Sequence, residues 1–93
     1  MTKIMENKLN KVTGGDFWET ALDSEALYFK GLMDEEFSST ELMFHWIKDS
    51  DKVDKGWAKA GITSVTSPFG SNKYFYNGKR ISQKTAMRII GVL

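Results

Sequence analysis

Apolar residues recur along this chain first at helical and then at strand spacing, and the change falls at Gly61. Ile4, Met5, Leu9 and Val12 fit a short amphipathic helix that Gly14-Gly15 stops. From Asp16, an expected N-cap, the residues Trp18, Leu22, Ala26, Phe29 and Met33 form a second helical seam. Glu19, Asp23, Glu25 and Lys30 lie off that seam. The run Asp34-Glu35-Glu36-Phe37 breaks the pattern. Ser38 and Glu41 then make a capping box, with Leu42, Met43, Trp46 and Ile47 as the apolar side of the helix it opens. Val53, Trp57 and Ala60 continue at i, i+4, i+7, and Gly61 suits the C-terminal cap.

Beyond Gly61 the segment "ITSVTS" is β-branched and short, and Pro68 ends it. "KYFYNGKRIS" reads as a hairpin, because Asn77-Gly78 supplies the two positive φ values of a type I′ turn. That turn sets Tyr76 opposite Lys79, Phe75 opposite Arg80 and Tyr74 opposite Ile81. Ser82 caps a closing helix whose Ala86, Ile89, Ile90 and Leu93 share one face. The expected architecture is α+β: N-terminal helices, then a three-stranded antiparallel sheet and a C-terminal helix. Residues 1–93 are expected to form one domain, with 1–15 as a loosely packed N-terminal helix.

Composition narrows the class. The hydrophobic share of 41% and aromatic share of 13% suffice for a modest core in 93 residues. There is no cysteine, so disulfides and thiolate metal sites are excluded. No apolar run approaches the roughly 20 residues that span a bilayer, and the first residues lack the apolar stretch of a secretory signal. The expectation is a cytoplasmic protein that makes no membrane contact.

Charge carries more information than the net +1 suggests. Residues 1–51 hold five lysines against eleven acids, a balance of −6. Residues 52–93 hold eight cations against Asp54 alone, a balance of +7. Such a division suggests a polyanion-facing surface, or two halves that complement each other. Chemistry-bearing residues are sparse by comparison. Glu41 and His45 lie four apart, the spacing of an acid–base or metal-sharing pair, but His45 is the only histidine. Asp34, Glu35 and Glu36 are the alternative for magnesium, although consecutive acids after a helix are usually solvated. Gly14-Gly15 lacks the lysine and spacing of a phosphate loop. The reading is therefore of a protein with no catalytic, metal or cofactor site.

Binding chemistry concentrates in the hairpin and the closing helix. Strand alternation sets Lys73, Phe75 and Arg80 on one side, and Tyr74, Tyr76, Lys79 and Ile81 on the other. A ring flanked by cations suits single-stranded nucleic acid, and a two-stranded ribbon also fits the major groove. The same pattern suits a hairpin whose aromatics are core and whose cations protect an edge. Lys84 and Arg88 lie one turn apart on the closing helix, where N–H groups near Gln83 favour an anion. Lys52, Lys55 and Lys59 line the preceding helix. The candidate partner-binding residues are Lys73, Phe75, Lys79, Arg80, Lys84 and Arg88. Trp18, Trp46, Trp57 and Phe69 are candidate interface anchors wherever they are exposed.

Three resemblances attach to particular segments. "KLNKVTGG" resembles the double-glycine leader of exported peptides, with Ile4, Leu9 and Val12 at the apolar offsets. The order of short strands, the "NGKR" hairpin and a helix over residues 62–93 resembles the AP2-type DNA-reading domains of phage-type integrases. "KYFYNGKRISQKTAMRIIG" is similar to the C-terminal segments of small accessory proteins of tailed bacteriophages. That last likeness implies a stoichiometric inhibitor or modulator, bound to a host protein or complex in the host cytoplasm. Nucleic acid, DNA or RNA, is the alternative partner. The pI of 7.9 favours protein, since dedicated nucleic-acid domains commonly exceed about 9.

Overall fold

A computed structural model describes residues 17–68 and 71–93. Helix α1 spans Phe17–Phe29, α2 Ser39–Phe44 and α3 Trp46–Lys59. Strands β1 (Ile62–Val65), β2 (Lys73–Tyr76) and β3 (Lys79–Ile81) follow, and α4 (Gln83–Ile89) closes the chain. The sheet is antiparallel with the strands in chain order. The expected helix over 4–13, the Asp16 cap and the double-glycine segment lie outside the described residues, as does Phe69.

Local signals placed most elements well. Asn77 and Gly78 take φ of 53° and 76°, and the hairpin register pairs Tyr76 with Lys79, Phe75 with Arg80 and Tyr74 with Ile81. Ser38 Oγ accepts the Glu41 N–H at 3.1 Å, the forward half of the expected capping box, and Ser82 Oγ accepts the Thr85 N–H at 3.0 Å. Gly61 follows α3 with φ of 79°.

The helical faces differ from the pattern-based reading in three places. First, α1 stops at Phe29: Gly31 at φ 74° lets its own N–H reach Tyr28 O and the Leu32 N–H reach Leu27 O, which closes the helix one turn early. Phe29 is then solvent-facing, and so is Trp18, whereas Glu19, Thr20, Asp23, Ser24 and Leu27 turn inward. Second, the chain bends at His45 (φ −131°, ψ 38°), so α2 and α3 are separate helices. Leu42 drops into the core while Met43 and Ile47 point out. Third, α4 buries Ala86 and Met87, with Ile90 and Val92 buried beyond it, and Ile89 is left exposed.

The core lies between the helices and one face of the sheet. Leu22, Ala26, Leu27, Phe37, Leu42, Val53, Trp57, Ile62, Tyr74, Ala86 and Met87 share it. Gly56 lets α3 lie close to α1, since a Cβ there would stand 2.9 Å from Met33 Cγ and 3.0 Å from Leu27 Cδ1. Trp57 meets Tyr74 edge-on, with ring centroids 5.6 Å apart.

Candidate interaction surfaces

Strand alternation gives the sheet an inner and an outer face. Ile62, Ser64 and Tyr74 are buried on the inner side. Thr63 pairs with Phe75 and Phe75 with Arg80 on the outer side, with Val65 opposite Lys73. Thr63, Val65, Lys73 and Arg80 are exposed there and Phe75 is half-buried. The Arg80 guanidinium carbon lies 5.8 Å from the Phe75 ring centroid, within cation–π reach. The outer face is thus one aromatic held under a cation, beside a second cation.

Lys84 and Arg88 are exposed on α4, which packs against the inner side of the sheet through Ala86 and Met87. They belong to a different surface from Lys73, Phe75 and Arg80. Lys79 sits at the hairpin end opposite Tyr76 and is also exposed. The eight cations of the C-terminal half therefore do not converge on one footprint. Two of the α3 lysines are matched locally: Lys52 Nζ lies 2.7 Å from Glu35 and Lys55 Nζ 3.0 Å from Asp51. The acids that meet them come from the loop after α1 and from α3 itself, not from α1.

The acids of α1 are engaged elsewhere, in a buried polar cluster that periodicity alone misses. Asp23 is fully buried and accepts from Tyr74 Oη at 2.6 Å, from Gln83 Nε2 at 2.8 Å and from Asn72 Nδ2 at 3.2 Å. Asn72 Nδ2 also donates to Thr20 Oγ1, and the Asn72 N–H donates to the Glu19 carboxylate. Gln83 Nε2 further donates to the Glu19 carbonyl. One cluster so ties α1 to the hairpin and to α4. Burial pushes the Asp23 carboxyl up to about 7, against the opposing pull of its hydrogen bonds, and the nearby Glu19 charge adds to the rise. Glu19 is raised by burial as well, and Tyr74 well above its usual range by burial and the Asp23 charge. A carboxyl near neutrality is a frequent mark of catalysis. Here both Asp23 oxygens already meet internal donors and neither reaches solvent, so the cluster works as a clamp between elements. The signal for it was the polar stripe Glu19, Thr20, Asp23 and Ser24, which has helical spacing but no apolar residue to reveal the buried side.

Ser24 joins the next segment in the same manner. Its hydroxyl accepts the Phe37 N–H at 2.9 Å and donates to Ala21 O at 2.8 Å. Asp54 holds β1 to α3 by accepting from Ser64 Oγ at 2.6 Å and Thr66 Oγ1 at 3.4 Å, and burial raises its pKa.

Glu41 and His45 are both exposed, and the contact between them is the His45 N–H to the Glu41 carbonyl within the helix end. Among the described residues no group of three or more His, Cys, Asp or Glu side chains is arranged to hold a metal ion. No described helix is long and apolar enough to cross a membrane. Of the candidate anchors, Trp57 is fully buried, Trp46 is half-buried edge-on to Phe17, and Trp18 is exposed. Three further apolar side chains stand out where the chain bends between α2 and α3: Met43 is 56%, Phe44 72% and Ile47 87% exposed.

No protein-family model, curated protein or solved structure matches the chain.

Proposed function

We propose that this chain is a small non-enzymatic binding protein, a phage-type regulator that modulates a host protein or complex by stoichiometric contact. The observation that carries this reading is the outer face of the sheet. Lys73 and Arg80 are exposed there around Phe75, with the guanidinium carbon 5.8 Å from the ring centroid. An arginine within cation–π reach of an aromatic is a weakly hydrated cation suited to an acidic protein surface. The phage-type part rests on the resemblance of residues 73–91. Nucleic acid is less favoured on two grounds. Tyr74 is in the core and Tyr76 half-buried, so Phe75 is the one ring of the hairpin that faces outward. The remaining cations also divide between surfaces, where a backbone-tracking groove needs them in line.

Two charge-reversed variants test this, Lys73→Glu/Arg80→Glu on the sheet and Lys84→Glu/Arg88→Glu on α4. Partners captured by the wild-type chain from a bacterial lysate and identified by mass spectrometry should be lost with one variant and kept with the other. Single-stranded and duplex DNA should bind weakly and only at low salt. Micromolar DNA affinity at physiological salt, reduced by these reversals with a flatter dependence on log salt, would establish nucleic acid as the partner. Glu41→Ala and His45→Ala should leave partner capture intact, because neither residue belongs to the proposed surface.

A further inference from the structure

Met43, Phe44 and Ile47 are exposed together because of the break at His45. At the bend, the α2–α3 elbow, Leu42 is buried in the core and its apolar neighbours Met43, Phe44 and Ile47 are left exposed. Single exposed apolar residues are ordinary, but three bulky ones within five positions form a patch of the kind that marks an interface. The surroundings are acidic: residues 34–55 hold seven acids against three lysines, and Lys52 and Lys55 are taken up by Glu35 and Asp51. Asp49 is buried, whereas Asp34, Glu36 and Glu41 are exposed. At the other end of the chain α4 shows the complementary chemistry, with Lys84, Arg88 and Ile89 all exposed.

We infer that the elbow docks the α4 surface of a second copy of this chain. Met43, Phe44 and Ile47 meet Ile89, while Lys84 and Arg88 engage the acids around the elbow. Two elbows facing each other would set acid against acid, so a symmetric pairing through this patch is disfavoured. The contact is head-to-tail, so the assembly keeps one unused elbow at one end and one unused α4 face at the other. This goes beyond the binding function proposed above. It needs no other protein and is measured on the purified chain alone, so its failure and the failure of that reading are distinct results.

Sedimentation velocity of the full chain, from about 10 μM to about 1 mM, tests it in the range where small interfaces dissociate. At low salt the average mass should rise with concentration, and added salt should reverse the rise. Ile47→Asp and Arg88→Glu should each be monomeric, with unchanged melting because both side chains are exposed. The decisive sample is their equimolar mixture, in which one variant supplies an intact α4 face and the other an intact elbow. It should form a one-to-one dimer and nothing larger. A wild-type chain that stays monomeric at low salt throughout overturns the inference and leaves the elbow to a different protein. A mixture that stays monomeric, or a single variant that assembles like wild type, overturns it equally.

Discussion

Replacing Asp23 with asparagine should flatten the pH dependence of this protein's stability. The Asp23 carboxyl is fully buried among Tyr74, Asn72, Gln83, Thr20 and Glu19, none of which is a cation. Its folded-state pKa stands at about 7 against 3.8 for the free side chain. A difference of about three units corresponds to about 4 kcal/mol. Below the unfolded value both states hold the proton and folding is indifferent to pH. Between the two values only the folded state holds it, so stability falls by about 1.4 kcal/mol for each unit of rising pH. Above the folded value the loss is complete. The wild-type chain should therefore be more stable at pH 5.5 than at pH 8 by roughly 2 kcal/mol, on the order of 10 °C in Tm for a domain this size. Glu19 and Asp54, both raised by burial, act in the same direction. Asparagine keeps the shape and an acceptor for Tyr74 but carries no charge to bury. Thermal melts by circular dichroism at the two pH values and constant ionic strength give the comparison. Wild type should melt higher at pH 5.5, and Asp23→Asn should lose at least half of that difference. If the variant kept the full wild-type difference, or wild type melted higher at pH 8, the account of Asp23 as a buried, proton-holding clamp would be wrong.

Tyr74→Phe removes the shortest of the bonds to Asp23 and should cost about 1.5–3 kcal/mol at pH 8, where Asp23 is ionised, and less at pH 5.5; chemical denaturation at both pH values reads the contrast. Ser24→Ala strands the buried Phe37 N–H and should destabilise by about 1–3 kcal/mol, measured in urea. Gly78→Val forces a β-branched residue to φ of 76° and should lower stability by at least about 1 kcal/mol. An unchanged melting temperature there would undo the hairpin register, and the outer face built on it.

What the sequence determined by itself is what short-range chemistry determines. Asn77-Gly78 fixes the turn because few residue pairs accept two positive φ values, and two-residue spacing then dictates which side chains share a face. Ser38 and Ser82 mark helix starts because a hydroxyl there satisfies an amide that the helix leaves unpaired. The α+β order follows from periods that change at Gly61. Lys73, Phe75 and Arg80 could be set on one face before any tertiary contact was known.

The helical faces needed the tertiary structure. On α1 the apolar seam through Trp18 and Phe29 was misleading, because Asn72, Tyr74 and Gln83 arrive from some fifty residues or more away to satisfy Glu19 and Asp23. A polar side chain is buried or exposed according to whether a partner meets it, and that partner is not local. The separation of Lys84 and Arg88 from the outer sheet face is likewise decided by which side of the sheet α4 covers. The exposure of Met43, Phe44 and Ile47 depends on one bend at His45 that no residue type there announces. Spacing along a helix gives angles about its own axis, and only packing against other elements decides which of those angles faces water.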